Sequence, residues 1–194
     1  MRKVKYTQML KNDKEMMKYL FGYVRGKPFP LKHTFMDVDD LYGIRMFKPS
    51  QIFESTEPEP GKENTRILIT IQDLNKAIKF VSEAGVWKSL PKDVFSLYDA
   101  SKIHMGYVKI SYYYYYHYYY DTVNSKRRRR STRSEWYMRE YHLSSKYFPL
   151  TDVDRKKVLL TVINKEQKSN NDIQSLSNML GAIDLSTTQP ATGG

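Results

Sequence analysis

Six basic residues fall within eight consecutive positions of this 194-residue chain: Lys126, Arg127, Arg128, Arg129, Arg130 and Arg133. Like charges so close together repel one another, so the run does not favour folding by itself. Phosphate groups would relieve the repulsion and release counterions. The pattern therefore predicts contact with a polyanion, although a nuclear localisation signal or a solvated segment without a partner has the same composition.

A block of tyrosines over residues 112–120, interrupted only by His117, precedes the basic run. Tyrosine rings can stack on unpaired bases, at about 1–3 kcal/mol per base. Because alternate residues of a strand face opposite sides, we expect the even-numbered tyrosines in the core. The odd-numbered ones would then form cross-strand pairs or stack on bases. The candidate stacking residues are Tyr113, Tyr115 and Tyr119, and the candidate phosphate contacts outside the basic run are Lys109 and Arg139.

Other kinds of chemistry have no recognisable motif in the sequence. The four histidines lack HExxH spacing, no GxSxG or dinucleotide glycine pattern occurs, and there is no cysteine. Residues 37–40 carry three carboxylates that could hold Mg²⁺, but such clusters are also common in turns and at helix starts. We therefore expect a binding protein rather than an enzyme, with no metal, cofactor or small-molecule substrate.

Hydrophobic periodicity predicts the strands that must position these side chains. Residues 107–120 alternate between two faces and predict one long strand, and residues 135–143 predict a shorter one. The basic run would then lie in the loop of a long hairpin, about 107–143. Residues 66–71 and 157–163 predict further strands, the second of them central in the sheet because its apolar run is nearly continuous.

Helices are predicted at three places outside the tail. Asn12 or Asp13 would cap a helix that continues to about Tyr23 and ends before Gly26. Residues 73–84 show helical spacing of apolar residues, and residues 92–100 have room for one further turn. The predicted fold class is α+β, with a mostly antiparallel sheet and two or three short helices.

The chain divides by composition into three parts. Residues 1–30 form a basic helix or arm, residues 31–165 a single α+β domain, and residues 166–194 a polar tail with a weak helix. The net charge of +11 favours a polyanionic partner, either nucleic acid or an anionic membrane surface. No apolar run approaches the roughly 20 residues of a transmembrane helix, and no secretory signal is recognisable. We expect an intracellular protein.

Three segments resemble the jelly-roll coat proteins of small circular single-stranded DNA viruses. Residues 67–74 are similar to a strand that ends in a polar residue and leucine. Residues 95–103 contain a Leu-Tyr-Asp sequence, and residues 108–110 begin a strand rich in β-branched residues. The resemblance covers about a quarter of the chain. It implies a shortened jelly-roll-like sandwich, assembly into a homo-oligomeric shell, genome packaging by basic residues, and a place in the virion and the host nucleus.

The leading prediction is a non-enzymatic, basic structural protein of viral type that binds single-stranded DNA or RNA through its arginine-rich hairpin. Two alternatives stay open. One is a matrix-like peripheral protein that bridges an anionic membrane and a nucleocapsid. The other is a cellular β-ribbon DNA-binding accessory protein whose hairpin enters a groove as an arm.

Overall fold

The computed structural model describes residues 2–42, 46–73, 83–147 and 156–166. Within these ranges, three α-helices accompany one seven-stranded, mostly antiparallel sheet, which confirms the predicted α+β class. The helices are α1 (Arg2–Val24), α2 (Val38–Tyr42) and α3 (Pro49–Ser55). The strands are β1 (Thr34–Asp37), β2 (Thr65–Asp73), β3 (Gly85–Lys88), β4 (Val94–Tyr98), β5 (His104–Asp121), β6 (Lys126–Leu143) and β7 (Lys156–Lys165).

The strand order is β1-β2-β7-β6-β5-β3, and β4 also pairs with β5. Only β1 and β2 run parallel among the pairs of described strands. The β5–β6 hairpin spans residues 104–143, so the predicted long hairpin is confirmed and is slightly longer than expected. Strand β7 lies between β2 and β6, as its nearly continuous apolar run predicted.

Apolar clusters cover both faces of the sheet. On one face, Leu20 of α1 shares a buried cluster with Ile69 and Leu160. On the other face, Ile52 of α3 shares a second cluster with Leu68. Alternate residues of a strand face opposite sides, so neighbours such as Leu68 and Ile69 belong to different clusters. A jelly-roll-like sandwich needs two sheets packed face to face. Because the described strands form one sheet with helices on its faces, the sandwich is not confirmed.

The helix predicted at the N-terminus begins earlier than the sequence pattern indicated. It starts at Arg2, not at Asn12 or Asp13, and Asp13 is buried in its middle rather than serving as its cap. The helix ends where expected, because Gly26 adopts φ of +83°, a left-handed conformation that glycine reaches without steric cost. Among the described residues, no helix is both long and apolar enough to cross a membrane.

The predicted helical turn over residues 92–100 is wrong. Residues Pro91–Asp93 form one short 3₁₀ turn, and the residues after it form the edge strand β4. The open edge of β5 supplies backbone hydrogen-bonding partners for this segment, and local helical propensity does not outweigh them. The helix predicted over residues 73–84 lies mostly outside the described part of the chain, which leaves out residues 74–82, and Asp73, where it was predicted to begin, is the last residue of β2. The weak helix predicted in the tail falls on residues 167–194, which are also outside the described part.

Candidate nucleic-acid interface

The end of the β5–β6 hairpin extends beyond the sheet as a two-stranded ribbon. Strand β3 pairs with β5 only as far as Tyr115, and β7 pairs with β6 only from Trp136 onward. Among the described strands, residues 117–121 therefore pair only with residues 126–130, from His117 opposite Arg130 to Asp121 opposite Lys126. We call residues 117–130 the ribbon.

The basic run lies in a strand, and its predicted position in a loop is wrong. Residues 126–130 belong to β6, and the connection between the strands is the short turn over residues 122–125. A strand sends successive side chains to opposite faces, so neighbouring arginines do not lie side by side. Each of them also lies opposite a residue of the tyrosine block. Because the basic side chains alternate between the two faces and lie next to aromatic rings, a strand can accommodate this run of like charges.

One face of the ribbon consists of arginine guanidinium groups stacked on tyrosine rings. The Cζ atom of Arg127 lies 4.2 Å from the ring centroid of Tyr118. That of Arg129 lies 4.0 Å from the ring centroid of Tyr116 at the ribbon base. Each contact runs diagonally across the two strands. An exposed cation–π contact contributes about 0.5–1 kcal/mol. It therefore orients the guanidinium group without neutralising it. We call the surface of these four residues and Tyr120 the tyrosine–arginine face.

The opposite face of the ribbon carries the only carboxylate in residues 117–130, Asp121. Its Oδ2 atom lies 2.7 Å from Nε of Arg128. Hydrogen bonds from the Asn124 side chain, then from backbone N–H groups of the turn and from Arg128, hold the pKa of Asp121 below its ordinary value. The same oxygens organise the turn, because Oδ1 accepts hydrogen bonds from the N–H groups of Val123 and Asn124 at 3.1 and 3.3 Å.

The remaining basic residues of the ribbon lack an acidic partner in the ranges that the structure describes. No ion pair joins Lys126, Arg127, Arg129 or Arg130 to a carboxylate among the described residues. All four side chains are exposed. Within the described part of the chain, a carboxylate therefore neutralises one of the five consecutive cations, and the other four have none.

The other predicted phosphate contacts lie off the ribbon. Lys109 is within the sheet, with Nζ 2.6 Å from Oε2 of the buried Glu140. A guanidinium nitrogen of Arg139 lies 3.1 Å from Asp13, on the face covered by α1. Arg133 lies just beyond the ribbon base. It stacks on Tyr112 at 4.0 Å and pairs with Glu166 at 3.0 Å. The ribbon therefore brings together residues 126–130 but neither Lys109 nor Arg139.

The prediction that Tyr113 offers a stacking surface for bases is wrong. Its side chain is fully buried, and its ring meets that of Trp87 edge-on at 5.1 Å between centroids. Gly85 makes room for it, because a Cβ there would lie 2.6 Å from Cζ of Tyr113. Burial raises the pKa of Tyr113 to about 12. Tyr115 is half-buried and packs edge-on against Tyr113, at 5.2 Å between ring centroids.

Two exposed tyrosines, Tyr118 and Tyr120, were assigned to the core from the sequence, and a third exposed residue, Lys88, was missed. Tyr118 and Tyr120 are 40% and 63% exposed, although their even numbers predicted burial; Tyr119, predicted to be accessible, is 51% exposed. A sequence signal for this exposure exists, because no aliphatic residue follows Ile110 until Val123. Lys88 of β3 is the residue that the sequence pattern did not single out. Its Nζ atom donates a hydrogen bond to Oγ of Ser131 at 3.1 Å, beside the ribbon base.

Comparison with known proteins assigns no family to the chain. No protein-family model and no curated protein matches the sequence. The charge, exposure and geometry of the ribbon are therefore the features that indicate a function.

Proposed function

We propose that this protein is a non-enzymatic nucleic-acid-binding protein that uses the ribbon as its binding arm. The supporting observation is the set of four exposed basic residues, Lys126, Arg127, Arg129 and Arg130, which have no carboxylate partner among the described residues. Phosphates would supply the missing countercharge and release condensed counterions. A ribbon that extends past its sheet also lets a polymeric ligand contact both of its faces.

The composition of the ribbon favours nucleic acid over a membrane surface. A segment that binds in a lipid interface needs an apolar face as well as basic residues. The ribbon offers tyrosine rings and a single exposed aliphatic side chain, Val123 at the turn, which is 90% exposed. Tyrosine rings suit stacking on bases. A single valine buries too little apolar area to hold a protein in a bilayer.

A role in a virus particle stays a prediction that rests on the resemblance to coat proteins. Such a coat is built from two facing sheets, whereas the described strands form one sheet. Assembly into a homo-oligomer and import into a nucleus through the arginine run also stay predictions. The proposal of nucleic-acid binding depends on none of these.

A salt series of binding measurements tests the proposal. Binding of the full chain to 20-nucleotide DNA and RNA and to vesicles that contain phosphatidylserine would be measured between 50 and 300 mM salt. We expect nucleic-acid binding that weakens steeply with salt, with a slope of roughly −0.7 to −0.9 per phosphate contact. Tight vesicle binding without nucleic-acid binding would overturn the proposal in favour of the matrix-like alternative.

A matched variant pair assigns the contact to the ribbon. In one variant, Lys126 and the arginines at positions 127–130 are all replaced by glutamine. The control removes the same number of charges from exposed lysines elsewhere, namely Lys14, Lys18, Lys27, Lys62 and Lys92. The ribbon variant should lose most of the salt dependence and the control should keep it. Equal losses would mean that net charge, and not the ribbon, governs binding.

A further inference from the structure

A row of cations continues from the tyrosine–arginine face onto the body of the protein. Arg127, Arg129, Ser131 and Arg133 occupy every second position of β6 and face the same side of the sheet. Ser131 would interrupt the row, but Lys88 reaches across from β3 and hydrogen-bonds to its hydroxyl at 3.1 Å. Lys88 therefore fills the position at which the strand itself has no charge.

Within the described ranges, the cations of this row without an ion-pair partner are Arg127, Arg129 and Lys88. None of them has a carboxylate partner among the described residues, whereas Arg133 at the far end pairs with Glu166 at 3.0 Å. Same-face positions of an antiparallel strand recur about every 6.8 Å. The cations thus form a regular line along the strand direction, and its far end is capped by an ion pair.

Tyrosine contacts hold these cations in place along the row. The ring of Tyr114 lies 4.7 Å from Nζ of Lys88, and the rings of Tyr116 and Tyr118 support Arg129 and Arg127. A guanidinium group stacked on a ring keeps its N–H edges free to donate to phosphate oxygens. Less side-chain freedom is then lost when a phosphate binds, which favours this face over one with unsupported arginines.

The same face also presents an aromatic surface to unpaired bases. Tyr120, next to Tyr118 on this face, is 63% exposed, and no described cation covers its ring. In a duplex the bases stack on one another, so their faces are not accessible to a tyrosine ring. A single strand offers base faces and phosphates together.

We infer that single-stranded nucleic acid binds lengthwise along the tyrosine–arginine face, with its backbone phosphates at Arg127, Arg129 and Lys88 and a base on Tyr120. The inference rests on the proposed function, since it specifies the ligand and the path for the same ribbon. The opposite face has a different character, because Asp121 already neutralises Arg128 there.

Two double variants of equal charge separate the faces. Arg127→Gln with Arg129→Gln removes two cations from the tyrosine–arginine face, and Arg128→Gln with Arg130→Gln removes two from the opposite face. Binding to 20-nucleotide oligothymidylate and to a 20-base-pair duplex would be followed by fluorescence anisotropy. For the first variant we expect a loss of roughly tenfold or more in single-strand affinity near 0.1 M salt, with the salt slope reduced by about 1.4. The second variant should lose much less.

A single-residue test addresses Lys88. Lys88→Gln should reduce the single-strand salt slope by about 0.7, since one phosphate contact is lost. Lys92→Gln removes the same charge from an exposed lysine off the row and should leave the slope unchanged. All substituted side chains are exposed, and melting curves that match that of the wild type would confirm that the variants fold.

The outcomes distinguish this inference from the proposed function. Equal losses in the two double variants, or tighter binding of the duplex than of the single strand, would overturn the lengthwise path while leaving the ribbon as a nucleic-acid-binding arm. Unchanged binding in both double variants would overturn the ribbon itself, and the proposed function with it.

Discussion

Asp13 and Arg139 lie 126 positions apart in the chain, yet an oxygen of the Asp13 carboxylate accepts a hydrogen bond from the Arg139 guanidinium at 3.1 Å. The same oxygen accepts a hydrogen bond from the hydroxyl of Tyr141 at 2.7 Å. The Asp13 side chain is 2% exposed and that of Arg139 is 18% exposed. This contact attaches α1 to β6, the strand that carries the basic run at its other end.

Replacing Asp13 with alanine should therefore destabilise the fold strongly. The substitution would leave the Arg139 charge and the Tyr141 hydroxyl without their partner in a mostly buried place. Breaking a buried ion pair by removing one member costs about 3–5 kcal/mol. Urea unfolding measures this loss, and Asn12→Ala, at an exposed neighbouring position, should stay within about 0.5 kcal/mol of the wild type. A loss below about 1 kcal/mol for Asp13→Ala would mean that the contact does not fasten the helix.

The role of Asp13 could not be predicted from the sequence, whereas the main strands could. Strands β2, β5 and β7 carry local signals, namely alternation or an apolar run, and each was predicted close to its observed position. Strand β6 was predicted only over residues 135–143, the half that carries such a signal, and its first nine residues were assigned to a loop. Asp13 has only the local signal of a helix cap. Its buried position depends on partners on a distant strand. A pattern read along the chain does not contain that information.

The position of the arginine run shows a second limit of local reasoning. Repulsion between neighbours in sequence suggested a loop, but strand geometry places residues 127 and 128 on opposite faces and sets a tyrosine block across from them. Parity along β5 likewise predicted two faces but not where the sheet ends. Tyr113 is buried because the second apolar cluster covers its face of the sheet, and Tyr120 is exposed because the sheet ends before it, the reverse of the expectation.

Gly85 is required by the burial of Tyr113, which leads to a second prediction. A Cβ at position 85 would lie 2.4 Å from the carbonyl oxygen of Tyr114 and 2.6 Å from the Tyr113 ring. Gly85→Ala should therefore destabilise the protein by about 1–3 kcal/mol, as expected when a packed core is overfilled. Gly22→Ala is the control, because its Cβ would meet only the Lys27 side chain, at 3.6 Å. In a helix this change should stabilise by about 0.5–1 kcal/mol. Equal effects of the two substitutions in thermal unfolding would contradict the steric argument.

His142 should make stability depend on pH in the acidic range. Its ring stacks on that of Tyr107 at 4.4 Å between centroids, and neither ring nitrogen has a hydrogen-bond partner in the described part of the chain. Burial, and then the nearby charges of Lys157 and Lys109, lower the pKa of His142 to about 3. The unfolded chain, with an ordinary histidine pKa of about 6.5, therefore binds the proton more readily. Stability from this group is complete above about pH 6.5 and decreases as the pH falls toward 3.

Unfolding by urea at several pH values tests this effect against the variant His142→Phe. The difference in unfolding free energy between the two proteins at pH 7.5 provides the reference. As the pH falls, the wild type should lose stability relative to the variant, by an amount on the order of 4 kcal/mol at pH 3. A difference that does not change between pH 7.5 and pH 4 would show that His142 takes up its proton as readily in the folded protein as in the unfolded chain.

Asp121→Asn should increase the affinity of the ribbon for nucleic acid. The asparagine oxygen can still accept the hydrogen bonds from the N–H groups of Val123 and Asn124, so the backbone contacts of the turn are retained, whereas the amide nitrogen that replaces Oδ2 cannot accept the hydrogen bond from the Asn124 side chain. Arg128 would lose the carboxylate that lies 2.7 Å from its Nε atom and become available to a phosphate. The salt slope of binding should then steepen, by at most about 0.9 for one added contact.

The matched control for this variant is Glu57→Gln, which removes the same charge from the exposed Glu57–Lys32 ion pair outside the ribbon. Both variants raise the net charge by one unit, so long-range attraction changes equally in sign and size. Only Asp121→Asn releases an arginine on the ribbon, next to the four cations that have no carboxylate partner among the described residues. A steeper salt slope in that variant alone would therefore show that the Asp121 carboxylate limits binding by neutralising Arg128. The same slope in both would attribute the effect to net charge, and the ion pair at the ribbon turn would then have no part in recognition.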